Sequence, residues 1–141
     1  MSLSNVKTYF VDRMDGLSYQ EWPDGFAFDN IPETILDRSY HVFIESISGG
    51  PINHTHQDTE SEVVLRVFFR GYRNASEAID DAISGVETII ADVCKVANRT
   101  ATLLNVVFDS ADFNPLNAEN DNSVFVEMRF SARVILGIEE S

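Results

Sequence analysis

Apolar residues recur at spacings of three and four through one stretch of this chain and at spacings of two on either side of it. Ala75, Ala78, Ile79, Ala82, Ile83, Val86, Ile89, Ile90, Val93 and Ala97 fall on one helical stripe, with Glu77, Asp80, Asp81, Glu87 and Asp92 elsewhere. This predicts a helix over Asn74 to Ala97 that lays its apolar face on a sheet. Asn74 accepts from the free N–H groups of the first turn, and Glu77 reaches back in a capping-box variant.

Alternation takes over outside the helix. Ser39 to Ser48 reads as a strand with Tyr40, Val42 and Ile44 on one face and His41, Phe43, Glu45 and Ile47 on the other. Glu62 to Tyr72 sets Val63, Leu65, Val67 and Phe69 toward the helix, leaving Val64, Arg66, Phe68, Arg70 and Tyr72 opposite. Thr102 to Phe108 is a third strand. Val124 to Ile138 is the longest, with alternate residues from Val124 to Leu136 inward and Glu127, Arg129, Ser131 and Arg133 outward. A short amphipathic helix over Asn5 to Met14, capped by Ser4, ends near Gly16.

Three connections complete the reading. Leu17 to Pro32 carries Tyr19, Trp22, Phe26, Phe28 and Ile31 among Pro23, Gly25 and Pro32; it either lids the domain's own core or plugs into a neighbouring subunit. Gly49 to Ser61 is expected to be a long polar loop, mobile in the free protein, and Asp109 to Asn122 a second loop rich in Asn and Asp. The whole predicts one α+β domain over residues 1–141: a mixed, mostly antiparallel sheet with one long helix and a short N-terminal helix packed on one face.

A chain of 141 residues with 44% hydrophobic residues is enough for one continuous core. No apolar run approaches the ~20 residues needed to span a bilayer, and the start lacks a basic region followed by an apolar one, so a soluble, unsecreted protein is expected. Cys94 is the single cysteine, which suits a reducing cytosol and a small core thiol. A formal net charge of -13 repels phosphate backbones and anionic lipid, which disfavours general nucleic-acid binding.

His54 and His56, with Asp58 beyond, form the one grouping that looks like metal chemistry, because alternate residues of an extended segment present two imidazoles to one ion. No third and fourth ligand is evident, so no metal or cofactor is expected. Asp80, Asp81, Glu87, Glu119, Asp121, Glu139 and Glu140 fall on a solvated helix face, a loop and a tail, where paired acid–base catalysis has no cleft. With no Gly-rich phosphate loop, nucleophile elbow or Cys–His pair, an enzyme is disfavoured. The outward faces carrying Arg66, Phe68 and Arg70, and Glu127, Arg129 and Arg133, suit a subunit interface, with cross-strand ion pairs in solvent as the plain alternative.

The layout of Ile35 to Val42, of Val63 to Arg70 with the helix after it, and of the long last strand Val124 to Val134 resembles the tail terminator proteins of long-tailed bacteriophages, across nearly the whole chain. The resemblance implies a homo-oligomeric ring, commonly of six subunits, that caps the tail tube, meets the head-side connector and lets DNA pass. It implies a virion structural protein, made in the host cytoplasm and resident in the neck, with Trp22, Phe26, Phe28, Arg66, Phe68, Arg70, Glu127, Arg129 and Arg133 at subunit contacts. A head–tail connector or head-completion protein shares related layouts. A small-ligand or metal-binding α+β domain, with His54 and His56 as ligands, is the alternative from another class.

Overall fold

The computed structural model describes residues 4–21, 38–52, 56–72, 75–95, 103–118 and 121–137. Along the chain they form α1 (Ser4–Gly16), β1 (Gln20–Glu21), β2 (Ser39–Ile52), β3 (His56–Tyr72), α2 (Ala75–Val93), β4 (Leu103–Ala118) and β5 (Asp121–Gly137). The strands make one mixed sheet in the order β1-β2-β3-β5-β4. The short β1 runs parallel to the start of β2, and every other pairing is antiparallel. The chain is thus an α+β fold.

The period of two decides which residues enter the core. Val63, Leu65, Val67 and Phe69 of β3 are fully buried, as are Val126, Met128, Phe130, Ala132 and Val134 of β5. Leu65 sits opposite Val42 on one side and Met128 on the other, so the apolar row crosses three strands. The helices supply the second layer through Val6, Phe10 and Met14 of α1 and Ala78, Ala82, Ile89 and Val93 of α2, in one cluster with those strand residues. Phe10 and Phe108 flank Phe130 with ring centroids at 5.3 and 5.7 Å, and such tilted pairs each add ~0.5–1.5 kcal/mol beyond area burial. α1 packs beside β2, while α2 spans β3, β5 and β4.

The described parts of both expected loops are instead strand. Ser48 pairs with Glu60, Gly49 with Thr59 and Ile52 with Gln57, so residues 49–52 and 56–61 continue the β2–β3 ladder. The ladder satisfies the backbone groups whatever the side chains are. Thr59 and Ser61 turn inward and are buried, and the Thr59 hydroxyl donates to the Val134 carbonyl at 3.0 Å. The Gly-Gly-Pro segment falls at a register irregularity between Gly49 and Ile52 rather than ending the strand. Likewise β4 runs through Phe113 and Pro115 to Ala118, paired to β5 as far as Asp121. Pro115 is tolerated there because β4 is an edge strand among the described residues. α2 ends at Val93, short of Ala97, and Cys94 is half-buried in the turn that follows; Asn74 and Ala97 lie outside the described residues.

Candidate functional site

The sheet face opposite the helices is built by alternate residues of four strands. Across it, His41 of β2, Arg66 of β3, Glu127 of β5 and Asp112 of β4 stand in register, as do Phe43, Val64, Arg129 and Ser110 in the next row. The Arg66 guanidinium lies over the Phe43 ring, 4.8 Å from its centroid, and His41 packs on the same ring at 5.9 Å. Arg129 donates to Glu127 at 3.0 Å and reaches past Val64 to Glu45 on β2. Val64, which stands directly opposite Arg129, is only 1% exposed.

Further along β5, Arg133 pairs with Asp58 at 2.7 Å and Ser131 donates to Asp109 at 2.6 Å. The hydrogen bond to Glu45 raises the Arg129 pKa above its already high ordinary value, outweighing partial desolvation; Glu45, Glu127 and Glu62 add their attraction. The guanidinium stays charged at every accessible pH. Each exposed pair is worth ~0.2–1 kcal/mol, so the ladder orders side chains more than it stabilises the fold.

Arg66, Glu127, Arg129 and Arg133 therefore share one face, as the alternation predicts. Phe68 lies on the same face as Arg66 but is not exposed there: it is 3% exposed, set opposite Phe125 of β5 and Ser39 of β2, both also buried. The backbone of Arg70 lies in β3, but its side chain and all of Trp22, Phe26 and Phe28 are outside the described residues. So are His54 and the side chain of His56, whose backbone pairs with Gly137. Among the described residues no group of three or more His, Cys, Asp or Glu side chains converges as a metal site.

The sequence reading missed a clasp centred on Arg38. Its backbone takes a left-handed φ of 59°, and its N–H donates to the Phe68 carbonyl at 2.9 Å. The guanidinium donates to the Tyr19 hydroxyl at 3.1 Å and to Asp81 of α2 at 3.3 Å, and lies 5.7 Å from the Tyr19 and Phe69 ring centroids. Tyr19 is buried against Phe69, so the first ring of the aromatic connection covers this domain's own core. Beside the clasp, Ser76, Glu77, Asp80, Asp81 and Ser84 line a shallow acidic depression on α2. No described helix is long and apolar enough to cross a membrane. No protein-family model matches the chain, and no curated protein matches it significantly.

Proposed function

We propose that this chain is a structural assembly protein of a long-tailed phage, a tail terminator whose copies form a ring, commonly six-membered in the family it resembles, that ends tube polymerisation and joins the tail to the head-side connector. The observation that carries the reading is the layout: helix, long hairpin, helix, long hairpin, gathered into one sheet with a short and a long helix on one face and charge and aromatic rings on the other. That order is the one the resemblance rests on. The face opposite the helices, with Arg66 stacked on Phe43 and Arg129 held between two carboxylates, is preordered there and therefore suited to contacts within an assembly. The acidic chain lets DNA thread a lumen without adhering, and the role is architectural rather than catalytic.

The test is light-scattering mass after size exclusion, negative-stain imaging of the heaviest fraction, and addition of the chain to polymerising tail tube protein. Rings that arrest tube growth are the expected result. A chain that neither assembles nor shortens tubes overturns the reading. Replacing Arg66 and Arg70 together by Glu is expected to abolish assembly with circular dichroism unchanged.

A further inference from the structure

α2 and β4 meet along one flank of the molecule and carry between them no Lys or Arg. Their charges are Glu77, Asp80, Asp81, Glu87 and Asp92 on the helix and Asp109 and Asp112 on the strand. Asp81 and Asp92 are paired with Arg38 and Arg13, and Asp109 accepts from Ser131. Asp80 and Glu87 stand exposed on the helix.

An apolar seam runs between these two carboxylates and the sheet. Asp81, Gly85 and Asp92 turn one flank of α2 toward Arg38, Tyr19 and Arg13. At roughly 100° per residue, Ile79, Ile83 and Ile90 form the opposite flank, on the β4 side, with Asp80 and Glu87 just outside them. Ile83 is 42% exposed, and Ile79 and Ile90 are half-buried. On the same side of the sheet β4 presents Phe108, Ala111 and Phe113, opposite Phe130, Met128 and Val126 of β5. Val126 is fully buried while Phe113 beside it is 36% exposed. The row of Val67, Val126 and Phe113 is the neighbour of the Phe69 row on which Gly85 packs, so the cover that α2 gives the sheet stops short of Phe113.

We propose that this seam receives a basic amphipathic helix from a protein other than this chain, its apolar stripe seated between the α2 isoleucines and Phe113 and its Lys or Arg residues against Asp80 and Glu87. An amphipathic helix laid in an apolar groove anchors through residues three, four and seven apart, which matches Ile79 and Ile83 on one wall. Asp80 and Glu87 are seven residues apart, about 10.5 Å along the axis, so cations two turns apart on the incoming helix meet both. Charge identifies the occupant, because a flank with acids and no bases selects a basic partner and rejects an acidic one.

A second copy of this chain does not fit. Among its described helices α2 has no basic residue, and the apolar residues Val6, Phe10 and Met14 of α1 are fully buried in their own core. The opposite side of the molecule is acidic as well, with Asp12, Asp15 and Glu21 around Tyr40. The seam is therefore a contact with a different protein, and it stands whether or not copies of this chain form a ring.

The test uses a synthetic helical peptide with Leu on one stripe and Lys on both borders, titrated into the isotopically labelled chain and followed by backbone amide shifts. Two control peptides keep the lysines but replace Leu by Ser, or keep the leucines but replace Lys by Glu. The Leu/Lys peptide is expected to move amides of Ile79 to Ile90 and Phe108 to Phe113, and both controls to bind more weakly. Asp80→Lys with Glu87→Lys should weaken the Leu/Lys peptide about tenfold and admit the Leu/Glu peptide. Ile83→Ser should weaken both Leu peptides. All three positions are exposed, so circular dichroism is expected to be unchanged. Shifts spread over the whole acidic surface, a Leu/Ser peptide that binds equally well, or shifts confined to the β4 edge at Leu103 to Val107 would each overturn the proposal. So would a charge-reversed variant that keeps the wild-type preference.

Discussion

Tyr9 and Val93 are 84 residues apart in sequence and meet where α2 ends: the Tyr9 hydroxyl donates to the Val93 carbonyl at 2.6 Å. That carbonyl is among the last four of the helix, which have no partner within it. Both residues are buried, so the bond is made away from competing water. One turn along α1, Arg13 approaches Asp92 at 3.3 Å. The two contacts fix how α1 lies against α2, and hence how the helical layer covers β2.

Tyr9→Phe keeps the ring and removes the donor, leaving the Val93 carbonyl buried without it. An unmet buried acceptor costs ~1–3 kcal/mol, so urea unfolding is expected to show a loss of about 1–2 kcal/mol. Arg13→Ala removes a partly exposed pair and should cost less, about 0.5 kcal/mol. Equal losses would mean that the hydroxyl adds nothing beyond its surface neighbour.

Gly85 of α2 packs closely on Phe69 of the sheet. A Cβ there would stand 2.7 and 2.8 Å from two Phe69 ring atoms and 3.1 Å from the Tyr19 hydroxyl. Alanine improves helix propensity by ~1 kcal/mol, but overpacking a closed core costs ~1–3 kcal/mol. Phe69 is fully buried and pinned by Tyr19, so the clash outweighs the gain. Gly85→Ala is expected to lower stability by about 1 kcal/mol, and adding Phe69→Leu should recover part of the loss. A Gly85→Ala protein more stable than wild type would show that the ring gives way.

These residues also mark what the sequence allowed one to read. The inward rows of β3 and β5 follow from alternation because the helices bury one face and leave apolar residues no other place. The hairpin extensions escaped because the signal for a strand is an apolar alternation, while His56 to Glu62 is polar throughout and Asp109 to Ala118 mixes Asp and Asn with a proline. Phe68 was misjudged for the opposite reason: alternation gives its face correctly, but cross-strand neighbours still bury it. Nothing in the local sequence announces that Arg38 adopts a left-handed backbone or that it finds Asp81, 43 residues on.

Arg38 invites a comparison of two substitutions. Both Arg38→Ala and Arg38→Gly remove the contacts to Tyr19 and Asp81. Only alanine keeps the cost of a left-handed residue with a Cβ, ~1–2 kcal/mol, part of which glycine returns as chain entropy. The glycine variant is expected to be the more stable by about 1 kcal/mol in thermal or urea unfolding, with both below wild type. An alanine variant equal to glycine would show that the backbone relaxes once the side chain is gone.

Tyr40 couples the fold to alkaline pH. Its side chain is fully buried, and its hydroxyl donates to Asp15 at 3.1 Å and lies 3.5 Å from the Val11 carbonyl. Burial pushes its pKa well above the ordinary 10.0, and the hydrogen bond to Asp15, with the charges of Asp15, Glu21 and Asp12, pushes it further. The native state therefore holds the proton more tightly than the unfolded chain. The resulting stability is fully present below about pH 10 and is lost as pH rises toward the folded pKa, by at most ~1.4 kcal/mol per pH unit. Tyr40→Phe gives up the hydrogen bond, ~0.5–1.5 kcal/mol, but has no hydroxyl to ionise. It should be less stable than wild type at about pH 8, and the gap should close or reverse by about pH 11.5 in paired urea titrations. A gap of constant size across that range would show that ionisation of Tyr40 is not linked to unfolding.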